Sequence, residues 1–374
     1  MKILFIAHFH EDSGWSNGAI NLAKAMHNAG LDLVCRNIKL TNIPPKQDSL
    51  LKELEQKNID NVDICIQNVL PHHLVKTEKF QKNIGYFVGE AVKFHHLSWF
   101  EYLNLMDEIW VPNDDLKINL ELSHATSPIK TIPYPFDLAK YQNSNQKNLS
   151  FRSNDHKFKF YYIGEWNDRK NLESIIRSFH AEFAPHEQVA LVLKVKKFGS
   201  NPQQLHHDLK NFCNNIKKEM RLYTNLESYH EEIIMSEDVS SEIISMIHKS
   251  CDCFVGPTHG EGWSIPAFDA MCYGRTPICS NEGGPKYFID SENKNTGYLV
   301  DGIYNICNHS DPAFMELFTG HDEWFVPSER FIKQAMRFYY ENKNSIDRTR
   351  GLERGKQFSY ENVGNMIKEA LNDN

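Results

Sequence analysis

The segment Gly256–Pro285, GPTHGEGWSIPAFDAMCYGRTPICSNEGGP, sets two carboxylates around a stretch suited to hold an anion. An apolar run ends near Val255, a Gly-rich loop covers Gly256 to Trp263, and a helix is predicted from near Ser264. Ser264 is the expected N-cap, and Pro266 falls in the first turn, where its missing N–H does no harm. Free amides at such a helix start form a site for a diphosphate. Ala267, Ala270 and Gly274 are small enough to let the helix lie close to a sheet. Glu261 precedes the helix and Asp269 stands about one turn inside it. One carboxylate therefore meets a group beyond the phosphate and the other a group on its opposite side. The competing reading makes Glu261 a solvated loop acid and Asp269 a partner of the helix dipole.

A second cluster is Tyr162–Asn171, YIGEWNDRKN. A strand, a tight turn at Gly164 and two cations, Arg169 and Lys170, before a helix would present positive charge to a leaving phosphate. Cations at a helix start are disfavoured unless an anion sits there, so ordinary surface residues are the alternative. Lys194 interrupts the apolar run LVLKV, which is expensive unless it faces a cleft or is paired. Asn281–Gly284 after the Thr276–Ser280 run is either a place of close backbone approach to a ligand or a plain turn. Glu11–Gly18, EDSGWSNG, links the first strand to the first helix, and Gly14 and Gly18 would let backbone amides face a phosphate.

These segments need elements to position them. Ile3–Ala7 is a continuous apolar run, as in a strand covered on both faces, and a helical pattern follows to Gly30. Further strands are expected at Leu31–Cys35, Val62–Ile66, Ile84–Val88, Glu108–Val111 and Ile129–Ile132. Asp137–Lys157 is rich in Asn, Ser and Lys and reads as a linker. A second series has strands at Phe158–Ile163, Val189–Val195, Cys251–Val255, Thr276–Ser280 and Gly297–Val300, with a helix over Leu172–Phe183. The expected fold is α/β: two Rossmann-like doubly wound domains facing a cleft, residues 1–150 and 151–350, closed by a helix over 351–374.

EGWSIPAFDAMCYGRTPICS resembles the signature of the retaining glycosyltransferases of family 4, among the glycosyl transferases group 1, which have the GT-B fold. The resemblance implies that residues 1–150 form the acceptor-side domain and 151–350 the nucleotide-sugar donor domain, with Glu261 contacting hydroxyls of the donor sugar and Asp269 the nucleotide ribose. Asp269 departs from the usual Glu, and Trp263-Ser264 replace Phe-Gly, leaving the amides of Gly262, Trp263, Ser264 and Ile265 to serve the donor. Lys170 falls on the family's diphosphate-binding Lys. Glu165 stands where Arg is usual, and Arg169 is expected to supply the missing cation. Similar members carry a cation like Lys194 and a Gly-rich first loop like that around Gly14. Glu90, near Trp99 and Asp107–Pro112, corresponds to a position by the reaction centre; its alternative is a surface acid. The Phe358-Ser359-Tyr360 helix resembles the one that returns to the first domain.

The implied activity is metal-independent transfer, with retention, of a sugar from a nucleotide-diphosphate donor to a glycan, lipid-linked or other acceptor hydroxyl. The donor is a co-substrate, and no cofactor is expected. The alternatives are a non-catalytic nucleotide-sugar or glycan-binding protein and a nucleotide-sugar epimerase. A formal charge of −8 disfavours a nucleic-acid acceptor without excluding one. No G-x-G-x-x-G follows Ile3–Ala7 and no P-loop occurs, which disfavours dehydrogenases and P-loop enzymes. No metal site is expected either: there is no HExxH or Asp-x-Asp, and the adjacent pairs His72–His73, His95–His96 and His206–His207 should diverge. Eight cysteines without a CxxC pair, and no apolar run near the ~18 residues of a membrane span, point to a cytoplasmic chain.

Overall fold

A computed structural model describes all residues except 43, 45, 94–98, 143–147, 308–319 and 374. The pair His95–His96 and the middle of the expected linker lie outside the described residues. The chain forms two compact units: Met1–Lys140 with Lys356–Asn374, and Tyr141–Gly355. The divisions fall at Lys140/Tyr141 and Gly355/Lys356, where the sequence suggested 150/151 and 350/351.

The first unit holds β1 (Lys2–Ala7), β2 (Asp32–Asn37), β3 (Ile64–Asn68), β4 (Lys82–Tyr86), β5 (Glu108–Val111) and β6 (Ile129–Thr131), all parallel, in the order β2-β1-β3-β4-β5-β6. Every residue of β3 and β5 is buried, which explains apolar runs without alternation. The helix Gly14–Asn28 starts where Ser13 accepts from the Ser16 amide, and Gly30 ends it at φ +74°. Gly18 therefore lies inside a helix, not in a phosphate-facing loop. A Cβ on Gly18 would meet the Tyr134 ring at 2.5 Å, so this glycine seats an aromatic side chain.

The helix Tyr360–Asn372 belongs to this first unit, as the sequence suggested. Ser359 caps it through the Asn362 amide at 3.1 Å. A Cβ on Gly364 would lie 2.5 Å from the Ala25 carbonyl oxygen, so glycine lets the two helices touch backbone to backbone. Tyr360 adds a 2.8 Å hydrogen bond to Asn21.

The second unit holds β7 (Phe158–Glu165), β8 (Val189–Lys196), β9 (Glu232–Met235), β10 (Cys253–Gly256), β11 (Ile278–Ser280) and β12 (Tyr298–Val300), again parallel, in the order β12-β11-β10-β7-β8-β9. An antiparallel pair, β13 (Gly302–Ile306) and β14 (Glu323–Pro327), stands apart from that sheet. Phe160, Leu191, Leu193 and Val255 form the core with Ile175 and Phe179 of the helix Leu172–Glu182 and with Ile332 and Met336 of the helix Glu329–Glu341. All eight cysteines are buried, and burial pushes the Cys65 and Cys213 thiols up to about 12.

No local pattern marks β9, whose four residues EIIM are only half buried at the sheet edge. Its Glu232 is held by His180 at 2.5 Å and Lys217 at 2.6 Å, all three nearly inaccessible. Burial lowers the His180 imidazole below its usual 6.5 despite the pull of Glu232. Burial would raise Glu232, but His180 and Lys217 hold it below 4.5. A lowered histidine binds its proton more readily in the unfolded chain, so stability falls as pH drops below about 6.5. A depressed carboxylate adds a second loss below about 4.5. Urea midpoints should therefore decline in two stages on acidification from neutral pH; a flat profile across both windows contradicts this account of the triad.

Candidate active site

In the second unit the chain runs from β7 to β8 and β9 on one side, then returns to place β10 on the other side of β7. The carboxyl ends of β7 and β10 thus flank the point where the strand order reverses, the usual ligand position in open α/β sheets. The loops that leave these two strands carry the clusters singled out from the sequence.

Asn167 accepts from the Lys170 amide at 3.1 Å and so shapes the short turn Asp168–Lys170. Asn171 adopts a left-handed conformation, φ 55°, which asparagine tolerates well, and opens the helix Leu172–Glu182. Its side-chain amide donates to the Pro257 carbonyl at 2.9 Å, while the His259 amide donates to the Arg169 carbonyl at 2.8 Å. The Arg169 guanidinium donates to the Gly260 carbonyl at 2.7 Å. The two loops are therefore stitched together by both backbone and side chains. Asn167 and Asn171 belong to no motif; two asparagines bracketing a short turn are their only signal in the sequence.

Inside this frame Lys170 Nζ donates to Glu261 Oε1 at 2.6 Å, and Arg169 Nη1 lies 3.7 Å from the same oxygen. The side chains are 19% exposed for Lys170, 9% for Arg169 and 8% for Glu261, so Glu261 is not a solvated loop acid. Burial alone would raise the Glu261 carboxyl. Lys170 and Arg169, with the Lys170 hydrogen bond, outweigh it and hold the group below the usual carboxylate range. Two cations, Lys170 and Arg169, thus share the one buried carboxylate of Glu261.

The helix after the loop spans Ile265–Cys272, with Pro266 in its first turn. Ser264 does not cap it: the residue is left-handed, φ 68° and ψ 72°, and its side chain makes no cap hydrogen bond. A side-chain cap requires extended backbone at that position, and the sharp reversal after Trp263 excludes it. The Trp263 ring is buried against Phe268 and Phe288, at centroid distances of 5.9 and 5.4 Å, so the indole packs the loop onto the helices and does not face a ligand.

Gly283 and Gly284 resolve the ambiguity of the Asn281–Gly284 segment. Gly283 has φ +64° and opens the short helix Gly283–Phe288. A Cβ on Gly284 would sit 2.3 Å from Trp263 Cα, and the Gly284 amide donates to the Glu261 carbonyl at 3.0 Å. The close backbone approach is to the protein's own Glu261–Trp263 loop, which this helix buttresses.

Asp269 accepts a 2.6 Å hydrogen bond from the hydroxyl of Tyr141, a buried side chain that the sequence reading did not single out. Tyr141 also packs edge-on against Tyr273 at 5.0 Å. Gly164 lies within β7, paired with Val195, and not in the expected tight turn; it leaves room for the Tyr162 hydroxyl, which donates to the Glu165 carbonyl at 2.9 Å. Lys194 is 5% exposed near the end of β8, in register with Ile163 and Met235. Gly14 and Glu90 belong to the first unit: Gly14 is the exposed first residue of its helix, and half-buried Glu90 adds to burial in raising the Tyr134 hydroxyl. Also in that unit, the rings of His72 and His73 do not diverge but touch at 4.3 Å in the short turn Pro71–His73.

Two parallel six-stranded sheets with covering helices are the architecture of the GT-B fold. Residues 144–306 match the model of the family described as Glycosyl transferases group 1. No curated protein matches the chain in sequence. Among solved structures, the chain is similar to sucrose-phosphate synthase from Thermosynechococcus elongatus, with 14% identity over 99% of this chain and 98% of that one and a TM-score of 0.65. It is also similar to Anabaena Alr3699/HepE in complex with UDP, with 14% identity, 99% of each chain and a TM-score of 0.66. A third is an E. coli structure described as trehalose-6-phosphate bound with UDP-2-fluoro glucose, with 10% identity over 100% and 99% of the two chains and a TM-score of 0.65.

Proposed function

We propose that the β7 and β10 loops bind the diphosphate of a nucleotide sugar and that the chain transfers the sugar, with retention and without a metal, to an acceptor hydroxyl. The observation that carries this reading is the Lys170–Glu261–Arg169 cluster at the strand-order reversal. Lys170 and Arg169 supply fixed positive charge where a leaving diphosphate develops negative charge. Amides at the start of the helix Ile265–Cys272, from Gly262 to Ile265, add further donors. Glu261 positions the sugar hydroxyls. Tied to two cations, it is a poor nucleophile, which favours front-side attack through an oxocarbenium-like transition state over a covalent intermediate. Asp269 takes the ribose, with Tyr141 holding one of its oxygens. Glu90, Gly14, Gly164 and Lys194 remain proposed contributors on the strength of the family resemblance. A cytoplasmic setting accords with eight buried cysteines, and no described helix is long and apolar enough to cross a membrane.

The test is to incubate the full chain with UDP-, GDP- and ADP-sugars and an acceptor panel, with and without EDTA, following nucleotide release and product configuration by NMR. UDP-glucose comes first, because a similar Anabaena HepE structure is described in complex with it. Retained anomeric configuration and insensitivity to EDTA are expected. Activity lost with EDTA and restored by Mn²⁺ overturns the metal-free mechanism, and an isomerised nucleotide sugar without acceptor marks an epimerase.

A further inference from the structure

The ribbon of β13 and β14 lies outside the six-stranded sheet of the second unit. It is rooted where the Ser328 amide donates to the Asp301 carbonyl at 2.9 Å, between β12 and the helix Glu329–Glu341. Its two strands are unequally covered. Four of the five residues of β13 are exposed, whereas Trp324 and Phe325 of β14 are 5% and 7% exposed. A two-stranded ribbon is marginal by itself, so this one needs a surface to lie on. β14 finds that surface on the loop that carries Glu261.

The contact runs through His259. The Phe325 amide donates to the His259 carbonyl at 2.9 Å, and His259 Nδ1 lies 2.9 Å from the Phe325 carbonyl. A carbonyl can only accept, so Nδ1 carries the proton. The imidazole also stacks on the Trp324 ring, with 4.4 Å between centroids and 24° between planes. Toward the cluster, the His259 amide donates to the Arg169 carbonyl at 2.8 Å. One residue thus joins the ribbon to the backbone of a site cation by three hydrogen bonds and a ring stack. Burial holds the imidazole below its usual 6.5, so the ring is neutral near pH 7 and sets no third cation beside Arg169 and Lys170.

The residues after His259 show what such a clamp is for. Glu261 stands between Gly260 and Gly262, which leave its backbone free to wander unless something fixes it. The Arg169 guanidinium, itself tied to the Gly260 carbonyl at 2.7 Å, depends on the same stretch. His259 is the last side chain before Glu261 that can anchor the loop. A further ribbon contact, from the Tyr304 hydroxyl to the Glu282 carboxylate, reaches the entry to the helix Gly283–Phe288, which buttresses that loop from another side.

We propose that His259 is a positioning residue: it carries the fixed position of the ribbon to Arg169 and so holds that guanidinium where a diphosphate binds, without touching the ligand. The proposal rests on the reading of Arg169 as a donor-diphosphate ligand.

The test is a double-mutant cycle on the full chain at neutral pH. UDP, GDP and ADP are titrated calorimetrically into wild type, His259→Ala, Arg169→Ala and the double variant. His259→Ala and Arg169→Ala should each weaken the tightest of these nucleotides about tenfold. The double variant should bind within about twofold of Arg169→Ala alone, because His259 acts through Arg169. His259→Asn, which returns an N–H donor near the place of Nδ1, should regain most of the loss. Losses that multiply in the double variant, or a His259→Ala protein that binds as wild type does, overturn the positioning role and leave the donor reading intact. Should His259→Ala not fold, His259→Phe, which keeps the stack on Trp324 and loses the hydrogen bond, enters the same cycle with the same two overturning results. An Arg169→Ala protein that binds as tightly as wild type, or a wild type that binds none of the three nucleotides, overturns the donor role of Arg169 and this proposal together.

Discussion

Glu261→Gln lowers kcat by about 10²–10³-fold while nucleoside-diphosphate affinity stays level or rises. The glutamine keeps the shape of the side chain and one acceptor for a sugar hydroxyl. It removes the negative charge that now lies 2.6 Å from Lys170 and 3.7 Å from Arg169. The two cations then face a bound diphosphate with no carboxylate competing for them, so ground-state binding of the nucleotide does not suffer. On the proposed donor role, what is lost is the fixed geometry of the donor sugar and the partner that holds Lys170 in place. Steady-state kinetics beside calorimetric titration with nucleoside diphosphate separates the two effects. Equal losses in affinity and turnover would mean that Glu261 acts only by holding the loop together.

Gly284→Ala is expected to be as damaging without touching a ligand. The added Cβ would lie 2.3 Å from Trp263 Cα and 2.5 Å from the Trp263 carbonyl oxygen. Both contacts are with backbone, so no rotamer change relieves them. Either the helix Gly283–Phe288 or the Glu261–Trp263 loop must move. Overpacking of this kind costs about 1–3 kcal/mol. A displacement of about 1 Å in a positioning loop costs on the order of 10²-fold in rate. Denaturant midpoint and kcat should fall together. A variant with kcat within about twofold of wild type would show that the buttress does not set the position of Glu261.

Much of the frame was legible in the residues because parallel strands buried on both faces leave unbroken apolar runs. β1, β5 and β7 stand out for that reason, β8 does so despite the interruption at Lys194, and Gly30 and Ser359 mark helix ends by their own stop and cap chemistry. β9 does not stand out, because EIIM is short, lies at an edge and owes its place to the His180–Glu232–Lys217 contacts between distant segments. Arg169, Lys170 and Glu261 were found as separate candidates. That they form one cluster depends on β7 and β10 being neighbours, which no local pattern encodes. Ser264 misled because capping preference assumes extended backbone, whereas the chain there turns left-handed. Gly18 reads as a ligand-facing glycine and Gly283–Gly284 as either that or a plain turn, yet their missing Cβ atoms make room for Tyr134 and for the Glu261–Trp263 backbone. Tyr141 carried no motif at all, and only the fold brings it to Asp269.

Isothermal titration of UDP, GDP and ADP into the wild-type chain and into Lys170→Ala tests the donor-diphosphate assignment most directly. At least one nucleoside diphosphate should bind the wild type, and Lys170→Ala should bind it at least about tenfold more weakly, the loss of one charge-assisted hydrogen bond. Equal affinity for the two proteins would contradict the assignment of the Lys170–Glu261–Arg169 cluster to the donor diphosphate.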